Sequence, residues 1–282
     1  MPSMKTIKRR IKSVDTTKKI MMAMDMVAAA KLQKARARLD VARPFMDAAK
    51  KIVDALNHCE DANRHILFRP RKVRHTAYLV ITSDRGLCGN HNTSLAEKVL
   101  SYINAGKNER ILAIGLKGHE YFLLRGKNIL HTYPDVSETA LYEDAARIAD
   151  YLASLYTTGE IDEAYVAYTQ FESALTHIPR VVKMLPVGHC SKKVFEADGM
   201  CYEPDVLSFI DHAVPMYMNA LIFAALNESS ACEQAARMVS MESAVDNASE
   251  IISKLTRVYN RRRQTAITQE ISEIVSSANM LK

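Results

Sequence analysis

The first residues with chemical potential are Ser83-Asp84-Arg85-Gly86-Leu87-Cys88-Gly89-Asn90, directly after the apolar run Ala77–Thr82. A glycine-bearing loop between a strand and a helix is where many α/β folds cradle phosphate on exposed backbone N–H groups. The segment matches neither GxGxxG nor GxxxxGK[ST], so a purely structural turn stands beside the phosphate reading. Cys88 could be a nucleophile or a small buried thiol, and no partner base can be assigned to it. The five cysteines, Cys59, Cys88, Cys190, Cys201 and Cys232, form no CxxC pair or Cys/His cluster with zinc spacing, which points to reduced thiols. Cys190 and Cys201 share a loop over 188–204, where they could form a regulatory disulfide or remain two free thiols. The nine histidines show no HExxH-type spacing, so metal binding has no support. No metal or cofactor is expected.

Two basic clusters remain. Lys5, Lys8, Arg9, Arg10 and Lys12, followed by Lys18 and Lys19, are either a solvated face or a surface meant for an acidic partner. Arg69-Pro70-Arg71-Lys72-Val73-Arg74-His75 lacks the aromatic interleaving of nucleic-acid binders, and residues 58–76 read as a polar linker. The formal net charge of +6 over 282 residues is only mildly basic and establishes no acidic partner by itself. No uninterrupted apolar segment reads as a bilayer span, and the start shows neither a signal nor a transit peptide.

These residues must be positioned by two kinds of element. Residues 77–187 alternate strand and helix patterns. Strands are expected at Ala77–Thr82, Ile111–Ile114, Asn128–Thr132, Asp162–Thr169 and Pro179–Leu185. Helices are expected at Asn92–Ile103, Lys117–Leu124 and Glu138–Tyr156. Near-continuous apolar strands separated by helices imply a partly parallel, helix-covered sheet, a Rossmann-like α/β domain. The two ends are different. After Pro215 the chain to Lys282 has no glycine or proline, and Met238, Met241, Val245, Ala248, Ile252, Leu255 and Tyr259 recur at three-then-four spacing. The pattern resumes at Ile267, Ile271, Ile274, Ala278 and Leu281 after a stutter that puts Arg263 on the seam. Such a helix would be about 100 Å long at about 1.5 Å per residue. Residues 4–57 repeat similarly, through Ile7, Ile11, Val14, Ala28, Leu32, Ala35 and Leu39, with Pro44 expected to kink the helix or turn the chain. Two heptad segments at opposite ends most simply pair as an antiparallel coiled coil. The expected division is 1–58 N-terminal helix, 77–187 inserted α/β domain and 205–282 C-terminal helix. In such a pair the longer C-terminal helix should project alone over 266–282, with apolar surface that needs a sleeve.

The chain resembles the gamma subunit of F-type ATP synthases along essentially its whole length. Three segments carry the resemblance: Ile7-Lys8-Arg9-Arg10-Ile11 through Met24 to Leu32; Ile81-Thr82-Ser83-Asp84-Arg85-Gly86-Leu87-Cys88-Gly89; and Ala235-Ala236-Arg237-Met238 through Tyr259-Asn260-Arg261-Arg262-Arg263-Gln264 to Glu273-Ile274-Val275. Asn90-His91 stands where the family usually has small or apolar residues. The resemblance implies a non-catalytic central shaft that turns inside a ring of alpha and beta subunits and couples transmembrane ion (proton) flow to ATP synthesis or hydrolysis. It implies an epsilon subunit and a membrane ring of c subunits as further partners, no nucleic acid, and a peripheral place on the cytoplasmic face of the cell membrane. By the same resemblance Lys8, Arg9, Arg10, Met24, Arg237, Gln264, Thr268 and Glu270 lie on the surface that meets the ring. The competing readings are an α/β phosphate-handling enzyme with oligomerising helices, resting on Ser83–Asn90, and a coiled-coil adaptor or nucleic-acid binder, resting on the basic turns.

Overall fold

A computed structural model describes residues 3–57, 59, 62, 64–103, 108–187, 203 and 205–280, with side chains to 277. The expected loop carrying Cys190 and Cys201 lies outside the described residues. The elements in order are α1 (Met4–Leu56), β1 (His75–Ile81), α2 (His91–Tyr102), β2 (Asn108–Ile114), α3 (Leu116–Leu123), β3 (Ile129–Tyr133), α4 (Val136–Thr139), α5 (Tyr142–Thr157), β4 (Glu163–Phe171), β5 (His177–Leu185) and α6 (Val206–Met280). Pro44 and Pro215 lie inside α1 and α6, and neither ends its helix. A proline removes one backbone donor, and the packing of the flanking turns holds the helix through that loss.

The chain divides into two compact units, Ala29–Arg237 and Met1–Ala28 with Met238–Lys282. In the first, five strands lie in the order β3-β2-β1-β4-β5. The first four are parallel, and β5 returns antiparallel to β4. Alternate residues of β1 serve opposite faces, as the two-residue period of a strand requires. Ala77, Leu79 and Ile81 join Leu112, Ile114 and Val166 under α1, α5 and α6, which contribute Val53, Leu56, Ile148, Leu152, Val214 and Leu221. Tyr78 and Val80 join Ile111 and Ala167 on the other face under Leu95 and Val99 of α2 and Phe122 of α3. Burial on both faces explains why the strands read as unbroken apolar runs.

Two local expectations are corrected. The supposed linker is anchored: Leu67 and Phe68 are buried in the main core. Arg71 donates from Nη1 to the Tyr156 carbonyl at 2.9 Å and lies 4.5 Å from that ring's centre. The helix expected over Glu138–Tyr156 is two helices, because Ala140 adopts φ 45° between α4 and α5. One window of α6 is as apolar as a membrane span, but most of it is buried inside the protein, as in a core helix.

In the second unit, one line of buried and half-buried positions on α1 runs through Ile7, Ile11, Val14, Lys18, Met21, Asp25 and Ala28, flanked by half-buried Asp15 and Met24. One on α6 runs through Met241, Val245, Ala248, Ile252, Leu255, Tyr259, Arg262 and Ala266, flanked by half-buried Ala244 and Ser249. Both lines step by four and three, a heptad seam. Ser3 and Met4 line one groove with Val258, Arg261, Arg262, Thr265, Ala266 and Gln269. Beyond Ala266 every described side chain of α6 is exposed, so only earlier parts of α6 can cover the rest of the α1 seam. The helices are therefore antiparallel. The expected stutter is absent: Arg262 and Ala266, not Arg263 and Ile267, continue the line. Arg263 is exposed.

Candidate functional site

The exposed end of α6 is the most unusual surface of this unit. Ile267, Ile271, Ile274 and Val275 are 47%, 56%, 69% and 54% exposed. The polar residues among them turn inward. Thr265, Thr268, Ser272 and Ser277 donate their hydroxyls to the carbonyls of Arg261, Gln264, Thr268 and Glu273, at 3.0, 2.9, 2.9 and 2.7 Å. Gln269 Nε2 donates to Glu273 Oε1 at 3.1 Å. One side of the helix thus presents aliphatic side chains, flanked by hydroxyls that already have partners, while Glu270 and Glu273 are exposed elsewhere on it; the aliphatic side suits an apolar neighbour.

Of the residues assigned to the contact surface by resemblance, Gln264 and Thr268 are brought together along one shallow groove of α6, with Arg261, Thr265, Gln269 and Ser272. Glu270 is exposed but is not among the residues lining that groove. Lys8, Arg9 and Arg10 are exposed on the first turns of α1, and Met24 is half-buried toward the seam. Ile20, Met26 and Val27 are exposed on α1 as well and were missed. The available signal was their position off the heptad line, where water-facing residues are normally polar.

Arg237 is placed differently. It is only 9% exposed and lies in the α/β unit. Its guanidinium pairs with Glu233 at 2.8 Å and donates to Gln234 Oε1 at 3.1 Å. It also donates to the carbonyls of Arg85 and Gly86 at 3.4 and 3.3 Å. Burial pushes the Glu233 carboxyl up, and Arg237 opposes that shift. The pair clamps the 83–90 loop from the side of α6.

That loop is closed by its own side chains. Asn92 accepts from the Ser83 N–H at 3.0 Å and donates to Ser83 Oγ at 2.7 Å and Cys88 Sγ at 3.3 Å. Asp84 accepts from the Leu116 N–H at 3.1 Å, the Asp135 N–H at 3.2 Å and the Ser137 hydroxyl at 2.9 Å. Asp84 thus caps the start of α3 with a carboxylate of the chain itself and ties the loop to α3 and α4. Burial pushes the Cys88 thiol up, which keeps it protonated and a poor nucleophile. His91, the first residue of α2, is fully buried, and its Nδ1 has no hydrogen-bond partner. Burial, with the nearby charges of His177 and Arg237, lowers its pKa to about 3. A neutral imidazole is thus packed into the interior beside the loop. The loop is a structural latch.

A family profile described as ATP synthase matches residues 3–281. The ATP synthase gamma chain of Alkaliphilus metalliredigens is 42% identical, with 99% of each chain covered. The chain belongs to the ATP synthase gamma-chain family. The gamma chain of Acetobacterium woodii, named as sodium ion specific, is 35% identical over 98% of this chain and 97% of its own. Among solved structures, a chain of the Tetrahymena thermophila mitochondrial ATP synthase central stalk and c-ring structure matches with a TM-score of 0.62 at 25% identity, over 80% of this chain and 99% of that one. A chain of the Euglena gracilis mitochondrial ATP synthase matches in fold, with a TM-score of 0.73 at 17% identity over 99% of this chain and 94% of that one. Family membership and the self-closed loop together remove the basis for the phosphate-enzyme reading.

Proposed function

We propose that the chain is the central-stalk gamma subunit of an F-type ATP synthase, a non-catalytic rotor that couples transmembrane ion flow to nucleotide turnover on beta subunits. Its partners are the alpha and beta subunits around the shaft, the epsilon subunit and the membrane c-ring. Its place is peripheral, on the cytoplasmic face of the membrane. Residues 1–58 and 205–282 serve as the shaft, and 77–187 as its inserted domain. Lys8, Arg9, Arg10, Met24, Gln264, Thr268 and Glu270 face the ring, while Arg237 acts from within by holding the 83–90 loop.

The observation that carries this reading is the bare aliphatic ridge Ile267, Ile271, Ile274 and Val275 at the end of a continuous helix. These side chains are already about half covered by their own helix, so each gains roughly 1–2 kcal/mol when the rest is covered, and the ridge favours an apolar sleeve. The basic first turns of α1 match acidic loops on a surrounding ring. The test is reconstitution with alpha, beta and epsilon subunits. The purified chain alone should not hydrolyse ATP, and adding it should restore ion-coupled turnover. Steady hydrolysis by the chain alone, or coupled turnover without it, would refute the proposal.

A further inference from the structure

Strand β4 outruns its neighbour. β1 pairs with β4 only from Thr76↔Glu163 to Val80↔Ala167, whereas β4 continues to Phe171. Beyond Ala167 its pairing is with β5 alone. Residues two apart in a strand aim their backbone groups at the same edge, so Thr169 and Phe171 face the side where β1 has ended. Those groups would be buried and unpaired, at about 1–3 kcal/mol each, without partners from elsewhere.

The long helices supply them. The Thr169 N–H donates to Ser229 Oγ at 3.2 Å, and the Thr169 carbonyl accepts from Cys232 Sγ at 3.4 Å. The Phe171 N–H donates to Glu228 Oε2 at 3.2 Å, and the Phe171 carbonyl accepts from Arg43 Nη2. Glu228 Oε1 in turn accepts from Arg43 Nε at 3.0 Å, tying α1 to α6. One turn of α6 and one arginine of α1 thus act as a surrogate strand along the free edge of β4. Glu228, Ser229, Cys232 and Thr169 are buried.

We infer that Glu228, Ser229, Cys232 and Arg43 form the joint through which twist passes between helix α6 and the α/β domain, with Glu228 and Ser229 as its positioning residues. The inference rests on the central-stalk reading. Apolar contacts resist separation, but they are non-directional and let a helix slip about its axis. Directional bonds to a fixed strand edge resist that slip, because turning α6 must break them together. The same helix then runs on without interruption to Met280.

The test uses the reconstituted complex with its ring immobilised and a probe bead fixed to the α/β domain. The angular variance of the bead at rest reports the inverse stiffness of the path. Glu228→Gln combined with Ser229→Ala weakens the bonds that two of the four strand-edge groups make, so the variance should rise by roughly twofold if the bonds share the load. Unloaded ATP hydrolysis should be unchanged, since the bonds lie outside the catalytic subunits. The isosteric Glu228→Gln alone should give an intermediate variance, and Ser229→Ala alone likewise. Unchanged variance in assembled variants overturns the inference. Failure of both single variants to fold overturns it too, since the bonds would then be serving the fold rather than stiffness. A wild-type complex whose hydrolysis is not coupled to bead rotation instead overturns the central-stalk reading itself, so the two failures are distinguishable.

Discussion

Acidification from about pH 7.5 to about pH 5.5 should cost this protein about 1.4 kcal/mol of stability through His91 alone. The imidazole is fully buried, and its pKa falls from 6.5 to about 3. In the unfolded chain the same group takes up a proton as pH drops through 6.5, whereas the folded protein refuses it until about pH 3. The unfolded state therefore binds more protons throughout that window, and stability falls as pH falls. Its contribution is complete above pH 6.5 and is lost progressively toward pH 3, about 5 kcal/mol in all. Over the upper two pH units the unfolded chain gains most of one proton, which yields the 1.4 kcal/mol and a drop of about 3–6 °C in melting temperature. His177, whose pKa burial also lowers, adds in the same direction. The assay is urea denaturation followed by circular dichroism at both pH values, for wild type and His91→Met. The variant should lose less stability on acidification by about 1.4 kcal/mol. An equal loss in both proteins would refute the assignment of a neutral, unprotonatable ring.

Three further outcomes are expected. Arg237→Met removes the charge facing buried Glu233 and should destabilise the purified chain by about 3–5 kcal/mol in urea titrations, while Arg237→Met with Glu233→Met should recover much of that loss. Gly115 has φ +86°, and a Cβ there would lie 2.3 Å from the Thr82 carbonyl oxygen, whereas one at Gly126 would meet nothing within 4 Å. Gly115→Ala should therefore lower stability by about 3 kcal/mol or more and Gly126→Ala by only about 1–2 kcal/mol, and equal melting shifts would contradict the geometry. Truncation after Arg263 should leave the circular dichroism of the α/β domain intact but weaken assembly with the ring; unfolding of that domain would contradict the modular organisation.

The parts of the fold legible from sequence were those set by local periodicity. The β1 run and the α2 and α3 patterns appear within two residues of expectation, because burial of a strand on both faces or a helix on one leaves a direct imprint on residue order. The break at Ala140 was illegible. Asp84, more than fifty residues away in sequence, fixes the start of α4 by accepting from Asp135 and Ser137, a tie that no local pattern announces. The seam beyond Tyr259 was misplaced because Arg262 and Arg263 both continue a heptad within one residue, and only the partner's position selects between them. The i,i+4 spacing of Glu233 and Arg237 was readable as a helix pair, but nothing local signals the loop carbonyls that Arg237 also meets, which lie about 150 residues earlier. The Phe171 edge was invisible for the same reason: it arises from a difference in strand length, which is a property of the sheet.

The inward-turned hydroxyls of Thr265, Thr268, Ser272 and Ser277 bear on more than helix stability. A neighbour gliding past these four groups finds their protons already donated within the helix, which leaves fewer donors to catch and release and a flatter energy profile against angle. What drag remains comes from brief van der Waals contacts with branched aliphatics, which re-form as easily as they part. Any salt dependence of the heat dissipated per revolution should accordingly come from the charged residues, Glu270 and the basic turns of α1, and not from these hydroxyls.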